Sequence, residues 1–123
     1  MKSEIRSKLA PNPMGPYSQG IDAGAVYCAG QLGLDPGTGE LVNGVTSQTK
    51  RALENIEGVL SAVGLSLKDV VKTTVFLADL AEYAAMNDEY SKHFAPPFPA
   101  RATVQVAALP RGARVEIDAV AVR

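Results

Sequence analysis

Between Val45 and Val63 the apolar residues Val45, Ala52, Leu53, Ile56, Val59, Leu60 and Val63 recur at spacings of three and four, with Gln48, Lys50, Arg51, Glu54 and Glu57 between them. An α-helix turns once in about 3.6 residues, so this spacing gathers the apolar side chains into one stripe and predicts an amphipathic helix, closed by Gly64 as its C-cap. Asp69 to Ala78 (DVVKTTVFLA) is rich in β-branched residues and poor in charge. It reads as a central strand buried on much of both faces. Asp79 then caps a second helix over Leu80 to Phe94, with Leu80, Tyr83, Ala84, Asn87 and Tyr90 on its inner side; the prolines of APPFP end it.

Toward the N-terminus, Pro11, Pro13, Gly15 and Pro16 keep Met1 to Pro16 extended, with at most a short edge strand around Glu4 to Ser7. Tyr17 to Asp22 and Ala25 to Ala29 read as two short strands of a hairpin around Asp22 to Gly24, the second closed by Gly30. DPGTGE, Asp35 to Glu40, is a surface loop. The last quarter, Pro96 to Val122, reads as two strands, Thr103 to Leu109 and Val115 to Val122, joined by a tight turn. With two turn residues, Pro110 and Arg111, Gln105 lies opposite Glu116 on the face that also carries Thr103 and Arg101. One extra turn residue reverses that parity.

Strand, strand, helix, strand, helix, strand, strand predicts an α+β domain: a sheet with two helices on one face. Both closing strands have a clean apolar side and a mixed one. A mixed side with Val, Leu and Ala beside isolated polar groups resembles a subunit interface more than a wetted surface. A homo-oligomer is therefore expected, with pockets between subunits.

Composition narrows the picture. The 123 residues, 46% of them hydrophobic, suit one domain over 1–123. Twelve basic and 13 acidic residues leave a formal net charge of −1, which offers no electrostatic footprint for nucleic acid or anionic lipid. The single cysteine, Cys28, excludes an internal disulfide, and with one histidine, His93, neither a catalytic triad nor a multi-cysteine or multi-histidine metal site can be assembled in one chain. No apolar run has the length of a membrane span, and the N-terminus lacks the apolar core of a signal peptide. The expectation is a cytoplasmic protein.

Two residues stand out chemically. Arg101 follows Pro99-Ala100 at a loop-to-strand junction, and reads either as a surface arginine or as a bidentate holder of a carboxylate or phosphate. Glu116 lies among Val115, Ile117 and Ala119. It reads either as a carboxylate able to position or deprotonate water, or as a strand glutamate paired with an arginine such as Arg114. Tyr17 follows Gly15-Pro16, and Gly30 permits close approach to the backbone. Cys28, with no neighbouring base or cation in sequence, reads as a buried structural thiol.

Five colinear segments, GPYSQG (Gly15 to Gly20), AGQLGLDPGTGE (Ala29 to Glu40), VVKTTVFLADL (Val70 to Leu80), FPARATVQVAALP (Phe98 to Pro110) and VEIDAVAV (Val115 to Val122), resemble the Rid family of reactive intermediate deaminases, also called the YjgF or L-PSP family. The resemblance runs over essentially the whole chain. It implies a chorismate mutase-like subunit, a homotrimer with active sites between neighbouring subunits, and hydrolysis of 2-imino or enamine acids such as 2-aminoacrylate to a 2-keto acid and ammonia, without cofactor or metal. It implies that Arg101 binds the substrate carboxylate and Glu116 positions or activates water, with Tyr17, Gly30 and Asn87 lining the cleft. Ala29 stands where many members have serine, and Thr103 where some have cysteine. The alternatives are an endoribonuclease or translation inhibitor of the L-PSP type, and a trimer that binds small keto acids without turnover.

Overall fold

The computed structural model describes residues 1–123. Six strands, β1 (Ser3–Ile5), β2 (Gly20–Ala23), β3 (Ala25–Leu32), β4 (Val70–Leu77), β5 (Ala100–Gln105) and β6 (Val115–Ala121), form one sheet in the order β1-β2-β3-β6-β4-β5. Helices α1 (Val45–Ser61) and α2 (Tyr83–Ser91) cover one face. Every neighbouring pair is antiparallel except β4 and β5, so the sheet is mixed. This is the α+β arrangement that the pattern predicts. No helix is long and apolar enough to cross a membrane.

The apolar stripe of α1 is buried as its spacing requires: Ala52, Leu53, Ile56, Val59 and Leu60 have no solvent exposure. They pack against Val26, Val75, Leu77, Val115 and Ile117 of the sheet and Met86 and Tyr90 of α2. Each fully buried Leu, Ile or Val side chain contributes about 1.5–3 kcal/mol, so this layer anchors everything else. Past the end of α1, the Gly64 N–H donates to the Ser61 carbonyl and the Leu65 N–H to that of Leu60, with Gly64 at φ 75°. This doubly bonded glycine termination is available without strain only to a residue lacking Cβ.

Four sequence expectations change. The last two strands are not a hairpin: β5 runs parallel to β4, while β6 pairs with β3 and β4. The connection from Val106 to Arg114 is too long for a tight turn; it bends through Arg111 and Gly112, both at positive φ, and β4 occupies the place between the two strands. A parallel pair needs a crossover, which α2 supplies. Second, β4 is buried on one side only: Thr73, Val75 and Leu77 face the helices, whereas Lys72 is exposed and Thr74 and Phe76 are half-buried. Third, the second helix is shorter than Leu80 to Phe94. Asp79 does cap there, accepting from the Ala81 N–H at 2.8 Å, but the first turn, Leu80–Glu82, is a 3-10 turn. Fourth, β3 does not stop at Gly30; it continues to Leu32 through a bulge between Cys28 and Gln31. The lead-in strands fall at Ser3–Ile5 and Gly20–Ala23.

The sheet face away from the helices is left open. Tyr27, Val104 and Val122 are exposed on it, beside Phe76 and Val120, which are half-buried.

Candidate active site

Arg101 is the second residue of β5, in register with Thr73 of β4, and so shares the helix-covered side of the sheet. Its guanidinium carbon lies 4.7 Å from the ring centroid of Tyr90 and 5.5 Å from that of Tyr83. Nη2 donates to the Tyr83 hydroxyl at 2.6 Å. A cation over an aromatic face gains about 0.5–2 kcal/mol, enough to hold a long side chain in one place. The Tyr90 hydroxyl pairs with Thr73 Oγ1 at 2.8 Å, which locks that ring; burial pushes the Tyr90 phenol pKa up, against the Thr73 bond and the Arg101 charge. The ion pairs of the chain, Arg6–Glu4, Arg51–Glu54, Lys92–Glu89, His93–Glu89, Arg114–Glu82 and Arg123–Asp22, leave Arg101 without a carboxylate. It is a positioned guanidinium with no acidic partner in the chain.

Two expected residues gather around it. Asn87, half-buried, stands one helical turn from each of Tyr83 and Tyr90 on the same side of α2. Thr103 follows Arg101 on the same side of β5, and its hydroxyl oxygen is buried without a hydrogen-bond partner.

Glu116 sits elsewhere. In β6 it is in register with Leu32 of β3 and Phe76 of β4, on the open side of the sheet. Leu32 belongs to a small apolar cluster with Leu34 and Ala113. Burial raises its pKa, and the charge of Asp118 on the same face raises it further. Arg114 is not its partner, because Arg114 Nε donates to Glu82 Oε1 at 2.7 Å. Gly30 lies against the carboxylate: a Cβ there would stand 2.9 Å from Glu116 Cδ, so the bulge in β3 leaves space for this side chain.

Tyr17 and Ala29 adjoin Gly30. Ala29 donates its N–H to the Gln19 carbonyl at 2.9 Å. The buried Gln19 amide ties down the lead-in through Ser7, Ala10 and Pro11, and this holds the Tyr17 segment over β3. Tyr17, Tyr27, Cys28 and Ala29 line a groove of about 420 Å³, and Tyr17 and Gly30 share a smaller pocket beside it. Burial pushes the Cys28 thiol up to about 12, with Asp118 adding to the shift, so it stays a thiol at neutral pH. Nowhere do three His, Cys, Asp or Glu side chains converge as a metal would require.

The expected juxtaposition of Arg101 and Glu116 within one hairpin does not occur. They lie on opposite faces, two strands and three residues apart, about 14 Å by ordinary sheet spacings. The candidate residues thus form two separate clusters: Arg101 with Tyr83, Asn87, Tyr90 and Thr103, and Glu116 with Gly30, beside Ala29 and Tyr17. Tyr83 and Tyr90 are the residues that sequence reasoning assigned only to packing. Their spacing of seven, two turns along the helix that precedes the arginine strand, was the available signal.

The family model described as "Endoribonuclease L-PSP" matches residues 7–123. The chain is 50% identical over 121 residues to a 2-iminobutanoate/2-iminopropanoate deaminase of Capra hircus, covering 97% of this chain and 88% of that one. The crystal structure of RidA from an Antarctic Psychrobacter superposes with a TM-score of 0.95 at 43% identity, over 98% of this chain and 99% of that one. E. coli TdcF with bound serine gives 0.93 at 41% identity, over 98% of both chains.

Proposed function

The chain belongs to the endoribonuclease L-PSP family, also called the YjgF or Rid family, and from that premise we propose that it hydrolyses small 2-imino or enamine acids to the 2-keto acid and ammonia. The observation that carries the proposal is Arg101, a guanidinium held between two tyrosines with no carboxylate of its own. Such a group binds a planar carboxylate bidentately. The structural relative that holds serine supports an acid of that size as ligand.

An imine carbon is already electrophilic, so anchoring, a water and a carboxylate suffice for the reaction. Arg101 holds the substrate carboxylate. Glu116 orients the water and takes its proton as the oxygen bonds to C2. The proton passes to nitrogen; as the C–N bond of the resulting carbinolamine breaks, its hydroxyl proton moves by way of Glu116 to the departing nitrogen, so that ammonia leaves and the oxygen on C2 remains as the ketone. A carboxylate whose pKa is raised by burial suits both the taking and the returning of that proton.

Because Arg101 and Glu116 point to opposite faces, the working site combines the Arg101 half of one subunit with the Glu116 half of the next. We infer that the assembly is a homotrimer, which also covers the open face, where Tyr27, Val104 and Val122 are exposed. An endoribonuclease, as the family's descriptive name suggests, must hold a polyanion; the net charge of −1 disfavours it.

The test is release of ammonia from freshly generated 2-aminoacrylate. Charge-assisted hydrogen bonds contribute about 1.5–3 kcal/mol each, so Arg101→Ala should lower kcat/KM by about 10²-fold or more. Undiminished activity in that variant would overturn the assignment. Binding of pyruvate without turnover by the parent protein would identify a keto acid-binding trimer instead.

A further inference from the structure

Tyr83 and Tyr90 flank the same guanidinium but end differently. The Tyr90 hydroxyl is consumed by Thr73 in the interior, which leaves that side chain a platform. Tyr83 is 40% exposed, and its hydroxyl oxygen accepts from Arg101 Nη2 at 2.6 Å. A guanidinium has five donors and no acceptor, so the phenolic proton of Tyr83 cannot point back at Arg101. No acceptor in the chain takes it either. Receiving a hydrogen bond from a cation polarises the phenol and makes it a stronger donor.

We propose that the Tyr83 hydroxyl is a specificity-determining donor to the ligand carboxylate, acting beside Arg101, so that this site selects an ionised 2-oxo or 2-imino acid over its neutral amide or ester. The proposal rests on the reading of Arg101 as carboxylate anchor. The Tyr83 hydroxyl lies 2.6 Å from Arg101 Nη2, so an anion bound to that guanidinium is close to a phenolic proton that can rotate toward it. A neutral amide keeps the ring contact but accepts less strongly from both donors. Asn87, one turn along α2, extends the polar rim of the same cluster.

The experiment compares the parent protein with Tyr83→Phe, which retains the ring over Arg101. Binding of pyruvate and of pyruvamide is measured by calorimetry, and turnover by ammonia release from 2-aminoacrylate. The expected result is a five- to tenfold weaker Kd for pyruvate, a loss of less than twofold for pyruvamide, a parallel rise in KM and a kcat within twofold. Equal affinity of parent and variant for pyruvate would overturn the proposal. Equal loss for pyruvate and pyruvamide would overturn it too, since that marks a general packing role. If the parent binds pyruvate but releases no ammonia, the deaminase reading fails while the pyruvate-to-pyruvamide ratio still decides the role of Tyr83. A parent that binds no pyruvate removes the anchor and this inference together.

Discussion

Gly30 and Glu116 show how one missing side chain shapes the surroundings of the proposed water-activating carboxylate. The bulge in β3 brings the Gly30 Cα against the carboxylate, and the three atoms nearest to a Cβ there all belong to the Glu116 side chain. That side chain can swing away, so the backbone need not move. Gly30→Ala is therefore expected to keep a melting temperature within a few degrees of the parent. Its ammonia release should fall by about 10²-fold, the usual consequence of moving a reacting group by about 1 Å. Thermal melts run beside the activity assay check both halves; a variant that loses fold and activity together would show that Gly30 serves the strand rather than the carboxylate. Both Arg101 and Glu116 were legible as candidates from residue type and apolar neighbours. Their aromatic cradle and their cleared space were not, because Tyr83, Tyr90 and Gly30 act through contacts remote in sequence.

At the scale of elements, α1 was legible nearly to its ends, since its periodicity is local and its stripe is fully buried. One position in it runs against local preference. Alanine favours a helix over glycine by about 1 kcal/mol, yet Gly58 stands where a Cβ would meet the Leu9 carbonyl oxygen at 2.6 Å and Leu9 Cβ at 2.8 Å. That neighbour is backbone, in the lead-in whose Ala10 is buried, and it cannot rotate aside. Overpacking of this kind costs about 1–3 kcal/mol and should outweigh the propensity gain. Gly58→Ala is expected to lower the midpoint of chemical denaturation; a rise would mean that the lead-in shifts freely. The closing strands were the element-scale misreading. Each strand was recognised in outline, but their pairing passes through β4, and no turn signature near Pro110 reports a strand about thirty residues earlier.

For the whole molecule, the proposed division of the site between subunits has a direct test. Arg101→Ala and Glu116→Gln chains, each inactive alone, are co-expressed in equal amounts. In a trimer with one shared site per neighbouring pair, every mixed assembly regains one intact site of three. Random mixing then restores about a quarter of the parent's activity. A site complete within one chain gives no recovery. Light scattering on the parent should return the mass of three chains, and Val104→Asp, placed on the open face, should return single chains without activity.

By itself the amino-acid sequence determined the α+β class, the long helix, the residues Arg101 and Glu116 as the chemical candidates, and the likeness to a family of imine deaminases. These are recorded in periodicity, composition and short colinear motifs, all readable along the chain. Only the tertiary structure decided which face each candidate occupies. Side chains alternate along a strand, so a pattern says which residues share a face but never which face of the sheet that is. The parity of Arg101 against Glu116 is fixed by β4, which takes β5 in parallel on one edge and β6 antiparallel on the other. That placement splits the candidate site in two and makes a neighbouring copy of the chain part of the proposed chemistry.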